Sequence, residues 1–299
     1  MSQGSMEPGE TIVLPDGRRL GYLIVGEGKP VFYFHGLPSS RLDVLGFQQT
    51  TSSRRIQMIG VDRPGFGLST FAPNRRATDF AKDVSFLADH LGLDKFALLG
   101  VSGGGHYVIT CAALLKDRVT RAVAVSGASL PVETEGMARM NRWGFRLISL
   151  PFLNEWFSKQ QRNFFLEIAK NPDAFLATER GKRMLKDLPE DQVKLMQDPQ
   201  MRDGMCRTTL ESYRQGPDSI KAMTHELKML KKGWEVDLSK IPAGIVHLWH
   251  GTADTNVPVS NAYKNAKAIP GAHLEIFEGE GHGAVIILNH LEKLLDTLD

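Results

Sequence analysis

Short apolar runs rich in β-branched and aromatic residues recur over the first 130 positions, and the clearest of them do not alternate with polar residues. Val31-Phe32-Tyr33-Phe34 and Phe96-Ala97-Leu98-Leu99 are of this kind. A strand with one wet face alternates, whereas an unbroken run marks a strand covered on both faces, as in a parallel sheet between helical layers. The pattern predicts strands over 11–14, 19–25, 30–35, 56–61, 95–101 and 120–126. Between them Phe80, Val84, Phe86, Leu87 and Leu91 recur near the helical period, which predicts a helix over 79–91, and another is predicted over 106–115. Such alternation is the signature of an α/β fold with a mostly parallel sheet.

The alternation stops at Leu130-Pro131. About a hundred residues follow with helical periodicity and almost no strand signal, and eight of the eleven methionines fall there (137, 140, 184, 196, 201, 205, 223 and 229). Trp143, Phe145, Phe152, Trp156, Phe157, Phe164 and Phe165 add a dense aromatic content. Strand patterns resume at 244–249 and 273–277, and a helix over 284–297 closes the chain. The organisation predicted is a polar, disordered tail over 1–9, an α/β core over 10–130 and 233–299, and a helical insertion over 131–232 after the sixth strand. Charged residues in the insertion such as Glu211 and Arg214 are expected on a solvated face.

Composition narrows the class. Lys and Arg number 36 against 34 Asp and Glu, a net charge of +2, which favours neither nucleic acid nor an anionic membrane surface as partner. No apolar run reaches the ~18–20 residues of a membrane span. Two cysteines, Cys111 and Cys206, do not make a disulfide framework and suit reduced thiols in a cytoplasmic protein. The first ten residues have no apolar stretch of the signal-peptide kind; Gly4-Ser5-Met6 reads equally as part of a natural tail or as a tag remnant. Neither H-E-x-x-H nor a Cys/His cluster is present, so neither metal nor cofactor is expected.

The chemistry concentrates in three loops. Gly100-Val101-Ser102-Gly103-Gly104 lies between a predicted strand and a predicted helix, the context in which G-x-S-x-G lifts a serine onto a sharp turn. Glycines two positions to either side remove the Cβ atoms that would collide as strand and helix converge. A serine hydroxyl needs a base, and the base needs an orienting acid. Asp254 follows the strand 244–249 and His282 follows 273–277. Alone, Asp254 would read as a turn former and His282 as a loop histidine. In the order Ser, Asp, His, each just past a strand, they read as nucleophile, acid and base.

With these motifs the chain resembles the α/β-hydrolase superfamily, and within it the lidded serine esterases, from residue 10 onward. The resemblance implies that His35-Gly36-Leu37-Pro38 is an oxyanion loop, with the backbone N–H groups of Leu37 and Gly103 holding the oxyanion, and that His35 shapes this loop. It implies that Asp62-Arg63-Pro64-Gly65-Phe66-Gly67-Leu68-Ser69 is a structural turn and that 131–232 is a lid. The oxyanion segment lacks H-G-G-P-G, which disfavours a proline-releasing peptidase, and Ser102 stands where dehalogenases and epoxide hydrolases carry Asp. Ser126-Gly127-Ala128-Ser129 offers no rival acid, and His106, His225, His250 and His273 read as structural or solvated. The expected activity is hydrolysis of a small or medium carboxylic ester through an acyl-serine, by a monomer or homodimer. C–C bond or lactone hydrolysis, cofactor-free perhydrolysis and non-catalytic ligand binding are the alternatives.

Overall fold

The computed structural model describes residues 7–147, 151–186 and 188–299. Eight strands form one sheet: β1 Glu10–Val13, β2 Arg19–Val25, β3 Lys29–Phe34, β4 Ile56–Val61, β5 Phe96–Val101, β6 Val119–Val125, β7 Val246–Gly251 and β8 His273–Phe277. Their order is β1-β2-β4-β3-β5-β6-β7-β8. The β1–β2 and β2–β4 pairs are antiparallel and every other pair is parallel.

The unbroken apolar runs are explained by the pleat. Phe32, Phe34 and Leu98 point into one buried cluster with Phe80, Val84, Val108 and Ile109. Val31, Tyr33, Ala97 and Leu99 point into the other, with Ile286, Leu294 and Leu295 of the C-terminal helices. Successive residues feed opposite layers, so both phases of each central strand must be apolar. Truncating one of them, Leu98→Ala for example, would cost about 2–5 kcal/mol.

The predicted strands are observed within one or two residues. The closing helix is two helices, Ala284–Asn289 and Leu291–Leu298, broken at His290, whose φ is −127°. The His290 ring stacks on Phe277 at 4.1 Å and its Nε2 meets Glu280 Oε1 at 2.7 Å, contacts that hold this residue out of helical geometry.

Between β6 and β7, among the described residues, run the helices Arg139–Leu147, Pro151–Lys170, Pro172–Ala177, Glu179–Lys186, Glu190–Gln197, Pro199–Ser212 and Pro217–Met229. Several start on proline, whose missing N–H costs nothing at a first helical position. Asn171 and Asp198 cap two of them by accepting from Ala174 N at 3.0 Å and Met201 N at 2.9 Å. Glu211 departs from the expected solvated face: its side chain is 4% exposed and takes a 2.6 Å bond from Arg41 Nη1. Arg41 is buried and also holds Asp62, so Glu211 is buried against a cation that it shares with a second carboxylate. Trp143 and Trp156 are 51% and 57% exposed, while the side chains of Met140, Phe152, Phe157 and Met184 lie outside the described residues. Of the segment expected as a disordered tail, residues 1–6 lie outside the described residues. Pro8 O accepts from Arg41 Nε at 3.0 Å, and Glu7 pairs with Arg207 at 2.5 Å.

Candidate active site

β3 pairs with β4 on one side and β5 on the other, so the chain changes direction across the sheet there, and the loops at these carboxyl ends border a crevice. Ser102 directly follows the fully buried β5 with φ +53°, the left-handed region that non-glycine residues avoid at a cost of about 1–3 kcal/mol. A short 3-10 turn, Ser102–Gly104, leads into the helix Gly105–Leu114. A Cβ at Gly104 would lie 2.0 Å from Phe34 O, and one at Gly100 would lie 2.6 Å from Val108 Cγ2. Both are backbone-determined positions where only glycine fits.

β7 and β8 deliver the other two residues. Asp254 is buried; its Oδ1 accepts from Asn256 N and Val257 N at 2.9 Å each. Its Oδ2 lies 2.7 Å from His282 Nδ1 and 3.3 Å from His250 Nε2. Burial alone would raise the Asp254 carboxyl, but electrostatic attraction to the His282 ring and hydrogen bonding from His250 and His282 hold it well below the ordinary carboxylate range. Against an ionised acceptor, His282 Nδ1 carries the hydrogen, which leaves the lone pair on Nε2, the arrangement a general base requires. His250 therefore belongs to the site's supporting shell; its Nε2 also contacts Val257 O at 2.7 Å.

The serine and histidine loops abut. A Cβ at Gly283, beside His282, would lie 2.9 Å from Val101 Cγ1, beside Ser102. Gly283 N donates to Ser126 Oγ at 2.9 Å, and Ser126 directly follows β6, the neighbour of β5. Asp254 and His282 are thus joined directly. Ser102 Oγ makes no hydrogen bond among the described residues, as is common where no substrate draws nucleophile and base together.

Leu37 and Gly103 meet beside Ser102: a Cβ at Gly103 would lie 3.1 Å from Leu37 Cβ, and one at Gly36 would lie 3.7 Å from Ser102 Cβ. Behind them sits Arg63, fully buried, donating from Nη2 to Gly36 O at 2.8 Å and from Nη1 to Gly103 O at 2.9 Å. The Arg63 N–H donates to His35 Nε2 at 3.1 Å, so the His35 ring carries its hydrogen on Nδ1 and donates to Gly36 O at 2.9 Å. Burial, reinforced by the Arg63 charge, pushes His35 well below the ordinary histidine range and keeps it neutral.

Glu226, on the insertion helix Pro217–Met229, balances this charge. Its Oε2 takes 2.9 Å from Arg63 Nη1, and its Oε1 takes the Tyr107 hydroxyl at 2.9 Å and Arg75. Burial would raise the Glu226 carboxyl; Arg63 and Arg75 bring it down to about 2. The insertion touches the site twice more. Thr208 Oγ1 lies 2.9 Å from Ser40 Oγ in the loop after β3, and Asp191 Oδ2 accepts from Gly281 N at 2.7 Å in the histidine loop.

Arg63 and His250, which the sequence reads as a turn residue and a structural or solvated histidine, and Glu226, which carries no motif, stand beside the candidate site. Glu226 had a legible signal. It occupies the apolar stripe Ala222, Met223, Met229 at helical spacing, where an unpaired carboxylate would be untenable. His106 is buried and pushed down by that burial to about 3, His225 Nε2 lies 2.7 Å from Arg75 O, and His273 stacks on His247 at 4.6 Å. A cavity of about 470 Å³ lined by Glu7, Cys206, Arg207, Glu211 and Arg214, among others, lies on the insertion and includes none of the Ser102, Asp254 and His282 side chains. Among the described residues, no group of three His, Cys, Asp or Glu could hold a metal, and no helix is long and apolar enough to cross a membrane.

Sheet order, serine turn and acid–histidine pair define an α/β-hydrolase. The chain belongs to that family: the alpha/beta hydrolase fold model matches residues 29–287. It is 26% identical over 276 residues to a non-heme haloperoxidase of Rhodococcus erythropolis, covering 91% of this chain and 92% of that one. Among solved structures it is similar to a thermophilic esterase from Thermogutta terrifontis, with a TM-score of 0.64 and 20% identity over 97% and 96% of the two chains. An esterase from Exiguobacterium antarcticum gives a TM-score of 0.65 and 22% identity, over 97% of this chain and 98% of that one.

Proposed function

We propose that this α/β-hydrolase cleaves a small or medium carboxylic ester through an acyl-Ser102 intermediate. The observation that carries the reading is the 2.7 Å contact between His282 Nδ1 and the ionised Asp254, in a loop packed against the strained turn that presents Ser102. His282 Nε2 takes the serine proton as Ser102 Oγ bonds to the ester carbon, and the carbonyl oxygen gains charge facing the Leu37 and Gly103 amides. Collapse breaks the C–O bond, and the alcohol leaves with the proton from His282. Water, deprotonated by the same nitrogen, then releases the acid and regenerates Ser102.

Residues 131–232 act as a lid in this reading, supported by the bonds of Thr208 to the loop after β3, of Asp191 to the histidine loop and of Glu226 to Arg63. Leu37 and Phe165 both pack against the cluster Phe66, Tyr213, Ala222 and Met223, so an acyl group leaving the oxyanion loop would meet insertion side chains.

The test is hydrolysis of p-nitrophenyl acetate, with kcat falling by about 10⁶ in Ser102→Ala. Undiminished turnover in that variant rejects the assignment. A second reading, perhydrolysis, is favoured by the similarity to a non-heme haloperoxidase. Hydrogen peroxide would replace water as the acceptor of the acyl group, giving a peracid and free Ser102. Peracid formation from acetate and peroxide, absent in Ser102→Ala, distinguishes it from simple hydrolysis.

A further inference from the structure

Taking the acyl-Ser102 reading as its basis, we propose that Arg63 is the positioning residue of the oxyanion hole. Its guanidinium ties the two loops that supply the hole's amides, and Glu226 of the insertion holds it in place.

The geometry of one peptide carries the argument. Leu37 N–H, the expected oxyanion donor, belongs to the same planar amide as Gly36 C=O. In a trans amide these two groups point in opposite directions. Gly36 O accepts from both Arg63 Nη2 at 2.8 Å and His35 Nδ1 at 2.9 Å. Two donors on one carbonyl use both of its lone pairs and fix the amide plane, so Leu37 N–H is aimed away from Arg63. Rotation of this plane would break both bonds and leave donors on two fully buried side chains, Arg63 and His35, without this acceptor.

The second bond, from Arg63 Nη1 to Gly103 O at 2.9 Å, secures the residue that supplies the other amide. One rigid, planar fork thus sets the distance between the two loops, as bidentate arginine geometry allows and a lysine does not. A cationic donor on Gly36 O also polarises that amide and makes its N–H a better donor to a developing oxyanion. Arg63 touches no reacting atom; its effect passes through the two backbone groups.

Glu226 gives the guanidinium its counter-charge at 2.9 Å and is itself fixed by Tyr107 and Arg75. A carboxylate on the insertion helix therefore determines the orientation of a cation beneath the oxyanion loop. Ester turnover should depend on Glu226 even though its carboxylate need not touch the ester.

The experiment compares the wild type with Arg63→Met, Arg63→Lys and Glu226→Gln. It measures kcat and KM for p-nitrophenyl acetate, affinity for phenylboronic acid (whose tetrahedral adduct on Ser102 places an oxyanion in the hole), and the ¹⁵N order parameter of the Leu37 amide. In folded Arg63→Met, kcat and boronate affinity should fall together by about 10²–10³, as when one oxyanion donor is lost, with KM within about threefold. The Leu37 order parameter should drop from about 0.85 toward 0.6. Arg63→Lys should fall between the two. Glu226→Gln, which keeps the side-chain volume and serves if Arg63→Met does not fold, should lose about tenfold in kcat with KM unchanged. Wild-type kcat and Leu37 order in the folded variants overturn the proposal. A wild type inert to ester and boronate instead rejects the hydrolase reading, and the Leu37 amide still reports whether the clamp holds its peptide.

Discussion

Around Ser102 the chain is held by backbone and volume, whereas the helical insertion meets the same site through polar and charged groups. The turn after β5 is specified locally: a buried strand, a serine at φ +53°, and glycines whose missing Cβ atoms let Gly104 pass Phe34 O. The insertion reaches the site through Thr208, Asp191 and above all Glu226, which is buried among Arg63, Arg75 and Tyr107. The first kind of fixation is blind to pH and tolerates no added atom. The second depends on ionisation, and one proton can loosen it.

The largest expected effect lies on the core side. Asp254→Asn should leave the fold intact and cost about 10⁴ in kcat, because an amide lets His282 settle with its hydrogen on the wrong nitrogen. A variant within tenfold of wild type would mean that another group orients His282.

Gly104→Ala sharpens the contrast. A Cβ 2.0 Å from a backbone oxygen forces strand and helix apart, so thermal unfolding should show a loss of about 1–3 kcal/mol or more, constant between pH 4 and 8. Unchanged stability would show that the turn is less constrained than its glycines imply.

Glu226 is the acid-sensitive counterpart. Its carboxyl sits near 2 when folded and about 4.3 when unfolded, so the stability it contributes is fully present above the unfolded value and is lost as pH falls through the folded one. Glu226→Gln should therefore be destabilised at neutral pH by about 1–3 kcal/mol. The gap from wild type, followed by thermal unfolding, should narrow as pH drops from about 4.3 to 2. A gap independent of pH would mean that Glu226 acts through its shape alone.

The smallest effects belong to the apolar cluster. Phe165→Ala and Met223→Ala should shift kcat/KM between acetate and octanoate esters by about tenfold, the low end of what one methylene allows. The exposed Trp143 and Trp156 should shift it hardly at all. Equal profiles in all four variants would place the acyl pocket in core loops.

These contrasts also explain what was legible in the sequence. Ser102, Asp254 and His282 could be read because each follows a strand with its own local signature, and β-strand alternation between two covered faces leaves an unmistakable apolar run. Glu211 and Glu226 could not be assigned partners, because Arg41 and Arg63 lie more than 160 positions away and local pattern carries no record of a buried pair. Local pattern accordingly reads Glu211 as a solvated charge. Arg63 was hidden for a related reason: its Pro-Gly turn is sufficient explanation for the segment until the two carbonyls it binds are seen. Trp143 and Trp156 mislead in the opposite sense, since aromatic content suggests burial that the helices do not provide.

The account rests on Ser102 as the activated nucleophile, and a fluorophosphonate tests that most directly. After incubation with the probe, intact-mass measurement should show one adduct, and peptide mapping should place it on Ser102. Ser102→Ala should take up none, and Asp254→Asn should react far more slowly. An adduct on any other residue, or one that forms equally in Ser102→Ala, would contradict the account.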